Sequence, residues 1–192
     1  MPEPVSVLDR ARAEPRPGLV IEEQGPVGQV TLRAPALDAA AVAEAVGAVA
    51  GVAVPGPLSA AFAEDGRGAV WMSPDELLLL VPFGEQGAVV DALSERLAGT
   101  HHMALDVSDA RAVIRVAGRD AAETLAKGAP VDLSDAAFPV GRARRTHLGG
   151  VAVAIWRREA QVFELVCFRS VAHHVFDWLA VSGAKGARVG AL

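Results

Sequence analysis

The chain has 192 residues, of which 52% are hydrophobic and 21% are charged. This much apolar surface can offset the conformational entropy of folding, which excludes wholesale disorder. The formal net charge of −5 and the pI of about 5.5 exclude a general nucleic-acid binder, because such proteins need surplus Lys and Arg to neutralise phosphates.

The pattern of cysteine and apolar residues predicts a cytoplasmic protein. A single cysteine, Cys167, excludes an intrachain disulfide framework and a multi-cysteine metal site, and it fits a reducing compartment. Residues 1–17 contain four prolines and three acidic side chains where a signal peptide needs an apolar stretch, so we expect no export signal. The most apolar long segment, 34–57, is interrupted by Asp38, Glu44, Pro35 and Pro55, so we expect no membrane span.

The first half of the chain alternates between strand and helix patterns. Residues 1–17 are rich in Pro, Arg and Glu, which predicts an extended N-terminal arm outside the core. Two apolar runs, Leu19–Glu23 and 27–33, flank a Gln-Gly-Pro turn, and this pattern predicts a hairpin. Helical spacing of apolar residues predicts helices over about 36–50 and over 86–98. Between them we expect strands at 59–63, 68–72 and Glu76–Val81.

The same order of patterns recurs in the second half. Apolar runs predict strands at 103–107, 112–116, 144–148, 151–156 and Val162–Phe168. Short helical patterns at 120–126 and 171–180 predict two further helices. Within the first half, the run 77–81 has five apolar residues in succession, which predicts a strand buried on both faces.

Landmark residues suggest an internal duplication. Val30-Thr31-Leu32 aligns with Val113-Ile114-Arg115, Ala69-Val70-Trp71 with Ala154-Ile155-Trp156, and 78–81 with 165–168. We therefore predict an α+β fold of duplicated ββα-βββα halves, with helices on one side of mixed or antiparallel sheets. The expected organisation is an arm at 1–17, halves at 18–99 and 100–183, and a C-terminal tail at 184–192.

Residues that often carry chemistry form no catalytic pattern here. The histidine pairs His101-His102 and His173-His174 are adjacent, so their side chains diverge on a strand or a helix and do not chelate a metal. Cys167 lies in an apolar strand pattern, where cysteine behaves as a small hydrophobe. The glycine-rich stretches match neither a phosphate-binding loop nor a dinucleotide fingerprint, and no serine lies in a nucleophile elbow. We expect no catalytic, cofactor-binding or metal-binding residues in this chain.

Tryptophan and arginine side chains are the candidates for a partner interface, since these residue types often dominate binding energy. The same side chains are also typical of a core or of a solvated surface, and the sequence leaves both interpretations open. The candidate interface residues are Trp71, Arg111, Arg145, Arg169 and Trp178.

Four segments resemble one family of proteins. They are WMSPDELLL (71–79), VSDARAV (107–113), LAKGAPVDL (125–133) and CFRSVA (167–172). Their order and spacing resemble those of the gamma subunit of bacterial heterotetrameric sarcosine oxidase, and the likeness extends from about residue 4 to residue 179.

The resemblance implies a cytoplasmic complex of alpha, beta, gamma and delta subunits that oxidatively demethylates sarcosine. The implied products are glycine, hydrogen peroxide and, with tetrahydrofolate, methylenetetrahydrofolate. FAD, FMN, NAD and the folate site are expected in the alpha and beta subunits, and zinc in delta. The gamma subunit is expected to carry no catalytic residue, to dock chiefly on alpha, and to have a fold similar to the folate-binding domain of the glycine-cleavage T-protein.

An alternative hypothesis is a stand-alone folate-binding protein resembling aminomethyltransferases. The Lys-Gly-Cys signature of some folate-binding relatives is broken here, because Lys127-Gly128 is followed by Ala129. A third hypothesis is a homo-oligomeric scaffold.

Overall fold

The computed structural model describes residues 5–190, which form two compact units. The continuous unit comprises Val27–Asp109, and the split unit combines residues 5–26 with 110–190. Residues 1–4 of the predicted arm and 191–192 of the predicted tail lie outside the described residues. The observed divisions after residues 26 and 109 differ from those predicted after residues 17 and 99, because strands near both positions pair with distant parts of the chain.

Eleven strands and four α-helices occur within residues 5–190. In chain order they are β1 (Arg12–Arg16), β2 (Leu19–Glu23), β3 (Gly28–Arg33), α1 (Ala40–Ala50), β4 (Ala60–Phe62), β5 (Gly68–Ser73), β6 (Glu76–Val81), α2 (Gln86–Arg96), β7 (Met103–Asp106), β8 (Arg111–Ala117), α3 (Ala121–Ala126), β9 (Ala143–Leu148), β10 (Val151–Glu159), β11 (Val162–Phe168) and α4 (Ala172–Ser182). No helix in the described part of the chain is long and apolar enough to cross a membrane.

The continuous unit is a five-stranded sheet in the order β4-β5-β6-β3-β7, with helices α1 and α2 packed on one face. Helix α1 forms because Val42, Val46 and Val49 recur every three or four residues and bury one stripe against the sheet. The helix ends at Gly51, whose φ of 65° is left-handed and whose N–H donates to the carbonyl of Gly47. All six residues of β6 are buried, which confirms the prediction that this strand is covered on both faces.

The split unit is a six-stranded sheet in the order β1-β2-β8-β11-β10-β9. Its helix-side core combines Ile114 of β8, Leu165 of β11 and Ile155 of β10 with Leu125 of α3 and Leu179 of α4. Every strand pair in both sheets is antiparallel. The predicted combination of helices with antiparallel sheets is therefore confirmed.

The predicted hairpin of residues 19–33 is wrong. Strand β2 pairs with β1 and β8, whereas β3 pairs with β6 and β7 in the other sheet. The turn around Gly25, at φ 72°, redirects the chain into a different unit. A Gly-Pro turn between two apolar runs indicates that the chain changes direction, but it does not choose the partner of either strand.

The predicted arm is largely packed into the split unit from residue 5 onward. Leu8 is buried in the core and β1 pairs with β2. The buried carboxylate of Glu23 accepts hydrogen bonds from the Ser6 hydroxyl and from the N–H groups of Leu8 and Arg10. A polar composition predicted an unpacked segment, but the burial of Leu8, the pairing of β1 with β2 and the hydrogen bonds to Glu23 hold this segment in the split unit.

The landmark residues behind the predicted duplication lie on different faces of the two sheets, so the duplication is not confirmed by this alignment. Val30, Ala69 and Leu79 face the helix-side core of the continuous unit. Their aligned partners Val113, Ala154 and Val166 are absent from the helix-side core of the split unit, whereas the neighbouring Ile114, Ile155 and Leu165 belong to it. A shift of one residue turns every side chain of a strand to the other face, so the aligned landmarks are not structurally equivalent.

Candidate functional site

Trp71 lies on β5 of the continuous unit, half-buried beside the helix-side core. Its indole is one wall of an open cavity of about 730 Å³. Four prolines at positions 35, 55, 57 and 74 line the cavity together with alanine, leucine and valine side chains, and Asp38 is the one charged residue in the described lining. The placement leaves part of the Trp71 ring accessible from this cavity.

Trp178 lies on α4 of the split unit and has a different environment. Its ring packs closely on two glycines: a Cβ added to Gly128 would lie 2.4 Å from ring carbons of Trp178, and one on Gly149 would lie 2.8 Å from another. The side chain is half-buried against the core that contains Val175 and Leu179. Packing accounts for much of the Trp178 surface, and the remainder is accessible.

Arg111 and Arg169 lie at the same end of the split unit's sheet. Arg111 begins β8 and is the register partner of Phe168, the last residue of β11. Arg169 follows directly, and its Nη2 donates to the carbonyl of Val5 at 3.0 Å. Phe168 is 57% exposed and Val5 is 72% exposed. Two arginines and two exposed apolar side chains thus form one patch, the Phe168 patch (Val5, Arg111, Phe168 and Arg169).

Phe168 was missed by the sequence analysis, which treated it as the end of an apolar strand. The alternation of β11 contains the signal, because Phe163, Leu165 and Cys167 face the helix-side core and Phe168 therefore faces the other way. At the end of the strand that second face is open to solvent.

Arg145 is exposed on β9, the edge strand of the same sheet, and is the register partner of Ala154. The preceding Arg144 is half-buried, and burial together with the charge of Arg142 lowers the pKa of its guanidinium. A positive edge therefore runs along β9. Of the five predicted interface residues, four belong to the split unit and Trp71 belongs to the continuous unit.

Cys167 is unsuited to nucleophilic catalysis. Burial, reinforced by the carboxylate of Glu23, raises the pKa of its thiol to about 11. A thiol at this pKa is almost wholly protonated at neutral pH, and the thiolate is the reactive form. The interpretation of Cys167 as a buried hydrophobe is confirmed.

Lys127 serves to hold the C-terminal segment. Its Nζ donates to the carbonyls of Ser182 at 2.7 Å and Ala187 at 2.6 Å. One turn earlier on α3, the Glu123 carboxylate accepts from the N–H groups of Val189 and Gly190 at 2.6 and 3.1 Å. The described part of the predicted tail is therefore bound to α3.

Glu123 is buried, which by itself raises its pKa, but the Val189 and Gly190 N–H groups and the charges of Lys127 and Arg188 outweigh burial and lower the pKa of this carboxyl. It therefore stays ionised while it holds the tail. Among residues 5–190, no three His, Cys, Asp or Glu side chains come together in a group able to hold a metal ion.

Comparisons with known proteins agree on one family. Residues 33–185 match the model of the sarcosine oxidase, gamma subunit family. Over 136 residues the chain is 32% identical to the sarcosine oxidase subunit gamma of Corynebacterium sp. (strain U-96). This match covers 70% of the chain and 65% of that relative, so the chain spans slightly less than two thirds of the length of the curated protein.

The chain is also similar in structure to two solved proteins. The chain is similar to one from the heterotetrameric sarcosine oxidase of Corynebacterium sp. U-96 in complex with pyrrole 2-carboxylate, with a TM-score of 0.82 and 26% identity over 97% of this chain and 98% of that one. It also resembles the glycine cleavage system aminomethyltransferase T of Bartonella henselae, with a TM-score of 0.63 and 13% identity over 89% of this chain and 48% of that one. The second similarity shows a shared fold.

Proposed function

Because this chain belongs to the sarcosine oxidase gamma subunit family, we propose that it is the gamma subunit of a heterotetrameric sarcosine oxidase. The observation that carries this proposal is the match over nearly the full length of both chains to a component of such a heterotetramer. The proposed complex oxidises the N-methyl group of sarcosine with oxygen, and it releases glycine and hydrogen peroxide while the one-carbon unit passes to tetrahydrofolate as methylenetetrahydrofolate.

The proposed role of this chain in that complex is assembly, without a catalytic residue of its own. The buried Cys167 thiol stays protonated, and the Lys127 ammonium is engaged by the backbone of the C-terminal segment. FAD, FMN, NAD, tetrahydrofolate and zinc belong, in this proposal, to the other subunits. A cytoplasmic location is part of the same proposal, and a single buried thiol is compatible with it.

The proposed docking surface has three parts, with the alpha subunit as chief partner and beta and delta completing the complex. The first is the Phe168 patch, where an exposed aromatic ring lies beside Arg111 and Arg169. The second is Arg145 on the basic edge strand, and the third is the accessible parts of Trp71 and Trp178. Aromatic and arginine side chains suit this role because they bury a large area and make directional hydrogen bonds.

A duplicated module is the proposed origin of the fold. In the continuous unit, the sheet order β4-β5-β6-β3-β7 has helices after β3 and after β6. The split unit repeats this as β9-β10-β11-β8-β2, with helices after β8 and after β11. The first strand of each predicted half, β2 or β7, lies in the sheet formed mostly by the other half, which supports an exchange of these strands between two copies of one module.

The test of the proposed function is reconstitution. The chain is expressed with and without candidate alpha, beta and delta subunits, and we measure the mass of the product and its sarcosine-dependent oxygen consumption. We expect an assembly with one copy of each subunit, whose stability or activity falls when this chain is omitted. A fully active alpha–beta–delta complex that ignores this chain would refute the proposal. Saturable, tight binding of tetrahydrofolate by the isolated chain would favour an independent folate-binding protein instead.

A further inference from the structure

Strand β7 forms one edge of the continuous unit's sheet, and it is unusually accessible for a strand. It pairs with β3 on one side, and no other strand within residues 5–190 pairs with its outer side. Two apolar side chains on the same face of β7 are open to solvent, Met103 at 43% and Leu105 at 52% exposure. An edge strand of this kind presents unpaired backbone groups and apolar side chains together, which is a template for another strand.

The hydrogen-bonding pattern between β7 and β3 shows which backbone groups of β7 point outward. The Val107 N–H donates to the carbonyl of Gln29 at 2.8 Å, so this pair is a hydrogen-bonded one. Hydrogen-bonded and non-hydrogen-bonded pairs alternate in an antiparallel ladder, so Leu105 and Met103 also direct their backbone groups toward β3. The N–H and C=O groups of Ala104 and Asp106 consequently point away from β3, toward the open edge.

The split unit shows how the corresponding edge is used. Strand β2 occupies the place in its sheet that β7 occupies in the other, next to the central strand that precedes the first helix of the unit. On its outer side β2 is paired with β1, in antiparallel register from Arg12 opposite Glu22. In the split unit β1 therefore covers the outer side of β2. In the continuous unit no strand within residues 5–190 covers the outer side of β7.

We infer that the outer edge of β7 receives an extended segment of a partner subunit, which adds a sixth strand to the continuous unit's sheet. This inference rests on the proposed function, because the solved relative is a heterotetramer and the partner is therefore an unlike chain. The segment is extended, pairs with the backbone of Ala104 and Asp106, and has apolar side chains at alternate positions to cover Met103 and Leu105. Main-chain hydrogen bonds supply its affinity and the two apolar contacts its register.

Replacing Ala104 with proline tests this inference. Ala104→Pro removes an outward N–H and places the proline ring on the open edge, while the hydrogen bonds of Met103 and Leu105 to β3 remain. Ala60→Pro is the matched control, because Ala60 lies on β4, the opposite edge strand of the same sheet, and its N–H also points outward by the same alternation. In reconstitution with the alpha, beta and delta subunits, we expect Ala104→Pro to weaken incorporation about tenfold or more and Ala60→Pro to behave as wild type.

Two further measurements keep the test independent of folding defects. Leu105→Asp leaves the backbone intact and is expected to weaken incorporation, whereas Val181→Asp at an exposed site on α4 is expected not to. Hydrogen exchange of the wild-type chain should show that the Ala104 and Asp106 amides become protected in the complex, while the Leu105 amide is protected with or without partners.

The outcomes separate the inference from the proposed function. Normal incorporation of Ala104→Pro and Leu105→Asp, with unprotected Ala104 and Asp106 amides in the complex, overturns the inference and leaves the gamma-subunit role intact. If a homodimer of the isolated chain protects these amides, the inference that a different subunit supplies the strand is overturned, and a second copy of this chain supplies it instead. Failure of the wild-type chain to join the complex overturns both.

Discussion

The indole ring of Trp178 lies against the backbone of Gly128, so closely that a Cβ at position 128 would come within 2.4 Å of ring carbons Cζ2 and Cη2. Gly128 follows α3 and Trp178 belongs to α4, so this contact joins the two helices of the split unit. The glycine at position 128 is thus required by the close approach of an aromatic ring.

Substitution of Gly128 by alanine should destabilise the protein. The new methyl group forces the Trp178 ring or the backbone to move, at a cost of about 1–3 kcal/mol in the free energy of unfolding. The control is Gly47→Ala in the middle of α1, where an added Cβ meets nothing within 4 Å. That substitution should instead stabilise the protein, by roughly 0.5–1 kcal/mol. Urea unfolding measures both, and equal midpoints for Gly128→Ala and wild type would contradict the packing described.

Loss of Arg157 should destabilise the protein more than loss of Asp135, its partner in an ion pair. Arg157 is buried, donating at 2.6 Å to Asp135, at 2.9 Å to the carbonyl of Phe138, and also to the carbonyl of Ala160. The Asp135 side chain is 91% exposed. We expect Arg157→Ala to cost about 1–3 kcal/mol because it leaves the buried carbonyl of Phe138 without its donor, and Asp135→Ala to cost less than about 1 kcal/mol because water replaces the carboxylate. Thermal unfolding of the two variants would refute this if the losses were equal.

Attachment of the C-terminal segment should depend on pH through Glu123. Its pKa is lowered below the ordinary value of 4.5, so its contribution to stability is complete above pH 4.5 and is lost as the pH falls through the lowered value. Glu123→Gln should therefore be less stable than wild type at pH 7, with the difference shrinking in acid. Unfolding from pH 7 to pH 3 measures this, and Glu159→Gln at an exposed position controls for the loss of one charge. A difference that stays constant over this range would contradict the role of the carboxylate.

Cys167 should resist thiol reagents in the folded protein. Its pKa of about 11 leaves little thiolate at pH 8, and the side chain is buried. We expect slow labelling by an aromatic disulfide reagent in buffer and rapid labelling in denaturant. The variant Ser170→Cys adds an exposed thiol three residues away and should react quickly in the folded state, with one equivalent consumed. Fast labelling of the folded wild-type chain would show that the Cys167 thiol is accessible and ionised.

Truncation of Phe168 should weaken docking without harming the fold. The ring is 57% exposed, so Phe168→Ser removes little core packing, yet it removes the aromatic centre of the Phe168 patch. Loss of such an aromatic residue typically costs about 2 kcal/mol or more in binding when the residue is a hot spot. Val181→Ser, at a site 73% exposed, is the control. Affinity for the partner subunits is the readout, and equal binding by the two variants would remove Phe168 from the docking surface.

Most element types and positions followed from hydrophobic periodicity. The strands at Leu19–Glu23, Glu76–Val81 and Val162–Phe168 have the predicted ends, and the four helices lie where apolar residues recur at helical spacing. Periodicity works because each of these segments buries one face or both, and burial dictates which positions are apolar. The burial of β6 on both faces was also predictable from the sequence, because five successive apolar residues leave no polar face.

The candidate site was less predictable, because the exposure of a side chain depends on neighbours distant in sequence. Trp178 is a predicted interface residue, and its half-buried ring also packs on Gly128 and Gly149, which are 50 and 29 positions away. Phe168 was predicted as the end of an apolar strand, and the structure places it at the open end of a face. Neither distinction is encoded by residue type or by local spacing.

The sequence by itself determined most of the strands and the four helices, because side-chain periodicity and turn residues act within a few positions. Strand β1 is the exception, since residues 12–16 were predicted as part of an extended arm. Only the tertiary structure decided which strands pair: β2 joins β8 across more than 90 residues and β7 joins β3 across 70 or more, so that the predicted hairpin does not form and β2 and β7 each lie in the sheet of the other predicted half. Strand partners are chosen by the fit of whole faces and by the ladder of backbone hydrogen bonds, and a one-residue shift in register exchanges the two faces. Strand partners and register therefore depend on contacts between segments that are distant in sequence.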